Sequence, residues 1–139
     1  MIDNNCAYCV EGDLVAKFGI KICELETSKV YLFKEQSHPG RCIVAHKKHV
    51  GDMNELTAEE RAAYFEDVAR VARAIMAGFH PDKVNYGAYG DTGHHLHFHL
   101  CPKYKDEFEW GGVFLMNPDK KYLSDEEYAD MIAKIKANL

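Results

Sequence analysis

His95-Leu96-His97-Phe98-His99-Leu100-Cys101 alternates imidazole and apolar side chains over one short run. Successive residues of a β-strand point to opposite faces of the sheet. Read as a strand, the run puts His95, His97 and His99 on one face and Leu96, Phe98 and Leu100 on the other. One face packs on a core while the other lines a site with three rings. A polar, solvent-facing strand would alternate in the same way, but lysine, threonine or glutamate ordinarily fills such a face. Two chemistries use clustered imidazoles: metal ligation and nucleophilic attack on phosphorus. A neutral imidazole is a good nucleophile near neutral pH when a neighbour holds its tautomer. Donors must also meet the charge that develops on the phosphoryl oxygens. The loop Gly90-Asp91-Thr92-Gly93 enters the run, and such loops commonly hold site residues on a rigid scaffold. The Thr92 hydroxyl and the backbone amides of Gly93 and Leu96 are candidate donors.

Outward from this run, the pattern predicts an α+β domain. Val84–Tyr89 reads as a preceding strand, and Pro102, which has no backbone donor, is expected to end the histidine strand's ladder. Thr57-Ala58-Glu59-Glu60 is a capping box. It opens a helix to Ala77 with Ala63, Tyr64, Val68, Val71, Ala72 and Ile75 at helical spacing and Gly78 as its stop. Tyr64, Phe65, Val68 and Val71 read as a core stripe. Upstream, Lys17–Glu24 and Lys29–Lys34 are rich in β-branched and aromatic residues and are joined by a turn at Glu26-Thr27-Ser28. Ser37-His38-Pro39-Gly40 is a second turn, and Arg41–Ala45 a third strand. Residues 103–121 read as irregular. A second capping box, Ser124-Asp125-Glu126-Glu127, opens a C-terminal helix to about Ala137. The antiparallel sheet therefore has about five strands, with one long helix and a C-terminal helix.

A chain of 139 residues, 47% hydrophobic and 28% charged, suits one globular domain over 1–139. A net charge of −5 with neutral histidines argues against a nucleic-acid partner, which needs a basic footprint. It leaves room for a phosphate-bearing small molecule. The stretch Met1-Ile2-Asp3-Asn4-Asn5 carries no signal-peptide pattern, and no segment has the length of a membrane span. The odd set Cys6, Cys9, Cys23, Cys42 and Cys101 predicts reduced thiols and a cytoplasmic location. Cys6-Ala7-Tyr8-Cys9 is a Cys-x-x-Cys pair, open to three readings: half of a zinc site, a redox pair, or two unrelated buried thiols. Cys23, Cys42 and Cys101 read as small core residues.

The alternating run resembles the signature of the histidine triad (HIT) superfamily. The resemblance extends from Cys6 to about Lys105, through Ile43-Val44-Ala45-His46-Lys47-Lys48-His49 and the long helix. It implies a HIT-like core over 6–105 and a C-terminal extension with a helix over 106–139. It also implies a nucleotide-phosphate hydrolase or nucleotidyl transferase acting at an α-phosphate. In that reading His97 forms a covalent nucleotidyl–histidine intermediate, His95 and His99 flank it, and Thr92 stands near the leaving group. Asn85 matches a site-facing Asn or Gln of many members, and Glu35 is the nearest candidate for their acidic ribose-binding residue. Asp91 stands where many members have Gln, and a carboxylate there repels phosphate unless it is turned away, protonated or paired. The resemblance further implies structural zinc held by Cys6, Cys9, His49 and His95, a homodimer through the helix and sheet edge, and no organic cofactor. His46, at a strand end, is expected to be exposed, and His94 to serve in capping or partial burial. Phe108, Trp110 and Phe114 are candidates for the site mouth, a partner surface or a satellite of the core. The alternatives are a non-catalytic zinc- or nucleotide-binding module and a metal-dependent hydrolase with His95, His97 and His99 as ligands.

Overall fold

Apolar β-branched and aromatic runs form five strands: Gly19–Glu24 (β1), Ser28–Phe33 (β2), Cys42–His46 (β3), Lys83–Gly87 (β4) and His97–Lys103 (β5). They make one antiparallel sheet in the order β1-β2-β3-β5-β4 in the computed structural model, which describes residues 3–139. The first two residues of the N-terminal stretch read for a signal peptide lie outside the described residues. β3 is Cys-Ile-Val-Ala-His and buried throughout, as a central strand covered on both faces must be.

The two faces of the sheet have different covers. Val30, Leu32, Cys42, Val44 and Leu100 join the larger core with the long helix Ala58–Phe79 (α3) and the C-terminal helix Asp125–Ala137 (α4). Tyr31, Phe33, Ile43 and Ala45 pack with Tyr8, Val15 and Phe18. That second cover comes from two short N-terminal turns of helix, Ala7–Val10 (α1) and Gly12–Ala16 (α2), too short to leave a periodic signal in the sequence. β3 pairs with β5 through Ala45↔His97 and Ile43↔His99. The second and third histidines therefore lie on the face that α1 and α2 cover.

α3 buries Tyr64, Val68, Val71 and Ile75, one residue per turn. Phe65 differs from expectation: it sits at the exposed margin of the stripe, against Tyr64 and Phe98. Tyr64 Oη donates to the Val44 carbonyl at 2.7 Å. Asp67 Oδ2 accepts from Thr27 N, Thr27 Oγ1 and Ser28 Oγ at 2.9, 2.7 and 2.7 Å, tying the helix to the β1–β2 turn. Both capping boxes form, with Thr57 accepting from Glu60 N and Ser124 from Glu127 N.

Three boundaries depart from the sequence expectation. α3 runs through Gly78 to Phe79 and stops at His80, which adopts a left-handed φ of 53° ahead of Pro81. A Cβ on Gly78 would lie 3.1 Å from Lys134 Cγ, so the glycine serves the close approach of α4. Pro102 does not end β5. Pairing with β3 stops at Cys42↔Leu100, whereas β4 continues to Lys83↔Lys103. Pro102 thus occupies a stretch with a neighbour on one side only, where a strand tolerates a missing donor. Finally, β5 begins at His97, and His95 precedes it.

Candidate active site and metal centre

The chain reaches β5 through a bracket of backbone hydrogen bonds. His46 N donates to the Leu96 carbonyl at 3.0 Å, and Leu96 N donates to the Val50 carbonyl at 2.7 Å. These bonds wrap residues 47–49 around Leu96 and bring His49 beside His95. Although His95 stands outside the strand, the alternation survives: Leu96 and Leu100 enter the α3 core and Phe98 packs against it. All three triad imidazoles line one cavity of about 990 Å³.

Each ring is held by a different partner on one nitrogen. His95 Nε2 donates to the His46 carbonyl at 2.6 Å, leaving Nδ1 as a lone pair. His97 Nδ1 donates to the His95 carbonyl at 2.7 Å, leaving Nε2 without a partner among the described residues. His99 Nδ1 accepts from the Arg41 guanidinium at 3.0 Å. Burial holds His95 down to about 4 and His97 below its ordinary value. Burial, followed by the Arg41 charge, holds His99 down to about 2. The triad is therefore neutral near pH 7. The His97 and His99 ring centroids are 5.4 Å apart, and Tyr8 lies 5.1 Å from His97.

The His95 lone pair points into a second cluster. Cys6 caps α1 and Cys9 lies within it, so both thiols face the same side of one helical turn. Cys6 Sγ is 3.3 Å from His95 Nδ1, Cys9 Sγ is 3.3 Å from His49 Nδ1, and the two Nδ1 atoms are 3.1 Å apart. All four ligand atoms lie within 4.8 Å of one another. Tetrahedral zinc with Zn–S about 2.3 Å and Zn–N about 2.0 Å has S···N edges of about 3.5 Å and N···N edges of about 3.3 Å. Cys6, Cys9, His49 and His95 therefore have the donor types and spacing of a closed zinc site. The His46 carbonyl on the far nitrogen of His95 is the outer-shell partner that metal-bound histidines ordinarily have.

The family model for the HIT domain matches residues 19–106. The chain belongs to the HIT family. It is 30% identical over 122 residues to Protein hit of Bacillus subtilis strain 168, covering 83% of this chain and 82% of that protein. It is 29% identical over 116 residues to adenosine 5'-monophosphoramidase hnt1 of Schizosaccharomyces pombe, covering 77% and 80%. Among solved structures, a histidine triad protein from Sinorhizobium meliloti 1021 superposes with a TM-score of 0.84 at 22% identity, over 92% of this chain and 95% of that one. A Zn-bound histidine triad family protein from Mycobacterium smegmatis does so with a TM-score of 0.67 at 24% identity, over 95% and 94%.

In this HIT chain the other sequence-chosen residues take different places. Thr92 and Asp91 are exposed and line the cavity mouth. Asn85, on β4, pairs with Cys101 of β5, on the triad's face of the sheet but two pairs beyond His99, and it does not line the cavity. Glu35 is not brought to the cavity either. It is only 2% exposed and accepts from Ser37 N, Ser37 Oγ, Lys120 N and Lys121 N at 2.7–3.0 Å. Both its oxygens are used in tying the β2–β3 turn to the segment before α4. His46 is buried at 4% exposure, against the expectation of a solvent position. Its Nδ1 accepts from Lys48 N, and its ring packs edgewise on Tyr64. His94 is exposed at the cavity rim. Phe114 lines the cavity, whereas Phe108 packs on His38.

Two contributors go beyond the sequence reading, which offers only Phe114 of the first as a candidate for the site mouth. Residues 113–117 form one wall of the cavity through Val113, Phe114, Met116 and Asn117. Arg41 anchors that wall by donating to the Leu115 and Met116 carbonyls at 3.1 and 2.9 Å. Continuing the β3 alternation back from Ile43 and Ala45 places Arg41 on the triad's face, which is the signal that would have found it.

Proposed function

We propose that the protein is a nucleotide-phosphate hydrolase or nucleotidyl transferase in which His97 attacks an α-phosphorus. The observation that carries this reading is the Nδ1–H···O bond from His97 to the His95 carbonyl. It directs the remaining lone pair, on Nε2, at the cavity. A bond forms from Nε2 to phosphorus while the bond to the leaving group breaks, and the leaving group takes its proton from solvent, directly or through an ordered water. Water then attacks the nucleotidyl–histidine, the P–N bond breaks, and nucleoside monophosphate leaves with His97 restored. A second acceptor in place of water would give transfer. Thr92 at the cavity mouth suits a hydrogen bond to the leaving group. The relative named as an adenosine 5'-monophosphoramidase makes phosphoramidates of adenosine monophosphate the first substrates to try.

The rival use of His95, His97 and His99 as joint metal ligands finds little support. His95 Nδ1 faces the cysteines, His97 Nδ1 is committed to a carbonyl and His99 Nδ1 to a guanidinium. Zinc, held by Cys6, Cys9, His49 and His95, would be structural, because four protein ligands leave no open position. Bound there, it would fix the His95 side chain, and the His95 backbone carbonyl holds His97 Nδ1. No organic cofactor is called for.

A homodimer is supported by the free edge of β4 and by Tyr86, Met76 and Phe65, which are exposed on that strand and on α3. No described helix is long and apolar enough to cross a membrane. The acidic net charge and the five unpaired cysteines favour a cytoplasmic enzyme without nucleic-acid or membrane partners.

The test is turnover of a panel of nucleotide phosphoramidates and phosphoanhydrides by wild type and His97→Ala. We expect cleavage by the wild type and a loss of at least ~10³-fold in the variant, with unchanged circular dichroism. Comparable turnover by the variant defeats the mechanism. Absence of any cleavage by the wild type favours a binding module.

A further inference from the structure

We propose that Arg41 is a positioning residue: it holds His99 in the tautomer that presents Nε2–H to the phosphoryl group attacked by His97. The proposal rests on the reading above for the attacking ring and extends it to a residue outside the triad.

A guanidinium carries five donors and no acceptor. Its contact with His99 Nδ1, at 3.0 Å, therefore has one possible sense, with Arg41 donating and Nδ1 supplying the lone pair. In the neutral ring the proton must then sit on Nε2. Protonating Nδ1 as well would set two donors and two positive charges face to face. His97 is held the opposite way, since its Nδ1 meets a carbonyl. Two imidazoles 5.4 Å apart are thus locked in complementary states, one as a lone pair and one as a donor. A nucleophile and a preorganised donor for phosphoryl charge are the two parts that attack on phosphorus requires.

The surroundings of Arg41 favour this role over a scaffold role. The side chain is fully buried, with its guanidinium 4.2 Å from the Phe33 ring centroid and 4.9 Å from that of Phe114. Among the described residues its partners are two carbonyls, an imidazole and, at 3.9 Å, the Met116 sulfur, with no carboxylate, and its Nε has none. A buried cation so poorly compensated costs stability, and apolar residues of similar volume would generally serve a scaffold better. Among the described residues, no lysine or arginine lines the cavity, whereas Asp3 and Asp91 do. From those residues an anionic phosphate entering there meets no direct cation. Arg41 supplies positive potential from behind, through the His99 ring. The same guanidinium anchors residues 115 and 116, so the cavity wall and the donor ring are set by one side chain.

The test combines ring nitrogen NMR on full-length protein labelled at histidine with kinetics on adenosine 5'-monophosphoramidate. In wild type we expect His99 to show an unprotonated Nδ1 and a protonated Nε2 throughout the neutral range. Arg41→Met should release that preference and lower kcat by roughly 10²-fold with KM changed less than threefold. Arg41→Lys, which retains a donor and a charge, should recover part of both. A wild-type His99 protonated on Nδ1 overturns the proposal even if neither variant folds. So does a folded Arg41→Met variant with wild-type kcat. If His97→Ala also turns over normally, the reading of His97 fails instead, and the His99 spectrum still decides the tautomer.

Discussion

At the scale of single residues, the proposed chemistry depends on which nitrogen of each imidazole is occupied. Sequence alternation placed three rings on one side, but it carries no information on tautomers, because the partners are a local carbonyl for His97 and a distant arginine for His99. Glu35 shows the converse limit. An acidic residue after the second strand resembled a ribose ligand, yet four donors converge on it from Ser37, Lys120 and Lys121. Three of those donors belong to backbone amides, which no side-chain pattern reveals. Burial alone would raise the Glu35 carboxyl, but the Ser37, Lys120 and Lys121 bonds outweigh it and leave it below the usual carboxylate value. Its stabilising contribution is therefore full above the unfolded value of ~4.3 and is lost as pH falls through the lower folded value. Glu35→Gln should cost about 1–2 kcal/mol at pH 7 in urea denaturation, with the gap from wild type closing in acid below ~pH 4. An equal gap at pH 7 and pH 3 would contradict this account of the carboxylate.

At the scale of elements, long periodic segments were readable and short ones were not. The two capped helices begin where their boxes predict, because a hydroxyl and a carboxylate three residues apart satisfy orphan amides locally. Gly78 misled because its reason for being small lies in another element, the Lys134 side chain of α4. Pro102 misled because strand pairing on its two sides ends at different places. The turns α1 and α2, with four and five residues, fall below any periodicity test, yet they bring both cysteines and Tyr8 to the site. Two predictions belong at this scale. Asp67→Ala should cost about 2–3 kcal/mol, because it strands three donors at the β1–β2 turn. A loss under ~0.5 kcal/mol in chemical denaturation would show that the turn does not need the helix. For the free β4 edge and the neighbouring surface of α3, Met76→Glu with Tyr86→Glu should convert a dimer to a monomer in sedimentation analysis. A wild type that sediments as a monomer at micromolar concentration removes the dimer reading.

At the scale of the molecule, the sheet divides two tasks. The α3 and α4 face holds the larger core, and the opposite face carries the triad, the cysteine–histidine cluster and the cavity wall from residues 113–117. The order of strands, helix and histidine run was visible in the sequence because each follows from local pattern. The folding-back of residues 106–123 over the site was not. It is secured by Glu35, Arg41 and a His38 Nε2–H···Glu109 contact at 2.6 Å, all pairs far apart in the chain. The cysteine–histidine cluster joins the N-terminal turns to the residue that leads into β5, so removal of the zinc proposed there should be felt globally. We expect about one zinc per chain by elemental analysis, and chelation should lower Tm by several degrees. Protein purified without chelator that contains no zinc would remove the metal from the account.

The central claim is that the ring at position 97 bonds phosphorus, and intact-protein mass spectrometry with site mapping after brief exposure to adenosine 5'-monophosphoramidate tests it most directly. The account predicts a transient adduct of one nucleoside monophosphate on His97, absent from His97→Ala. Substrate cleaved with no adduct at any quench time, or with the adduct on another residue, would contradict it.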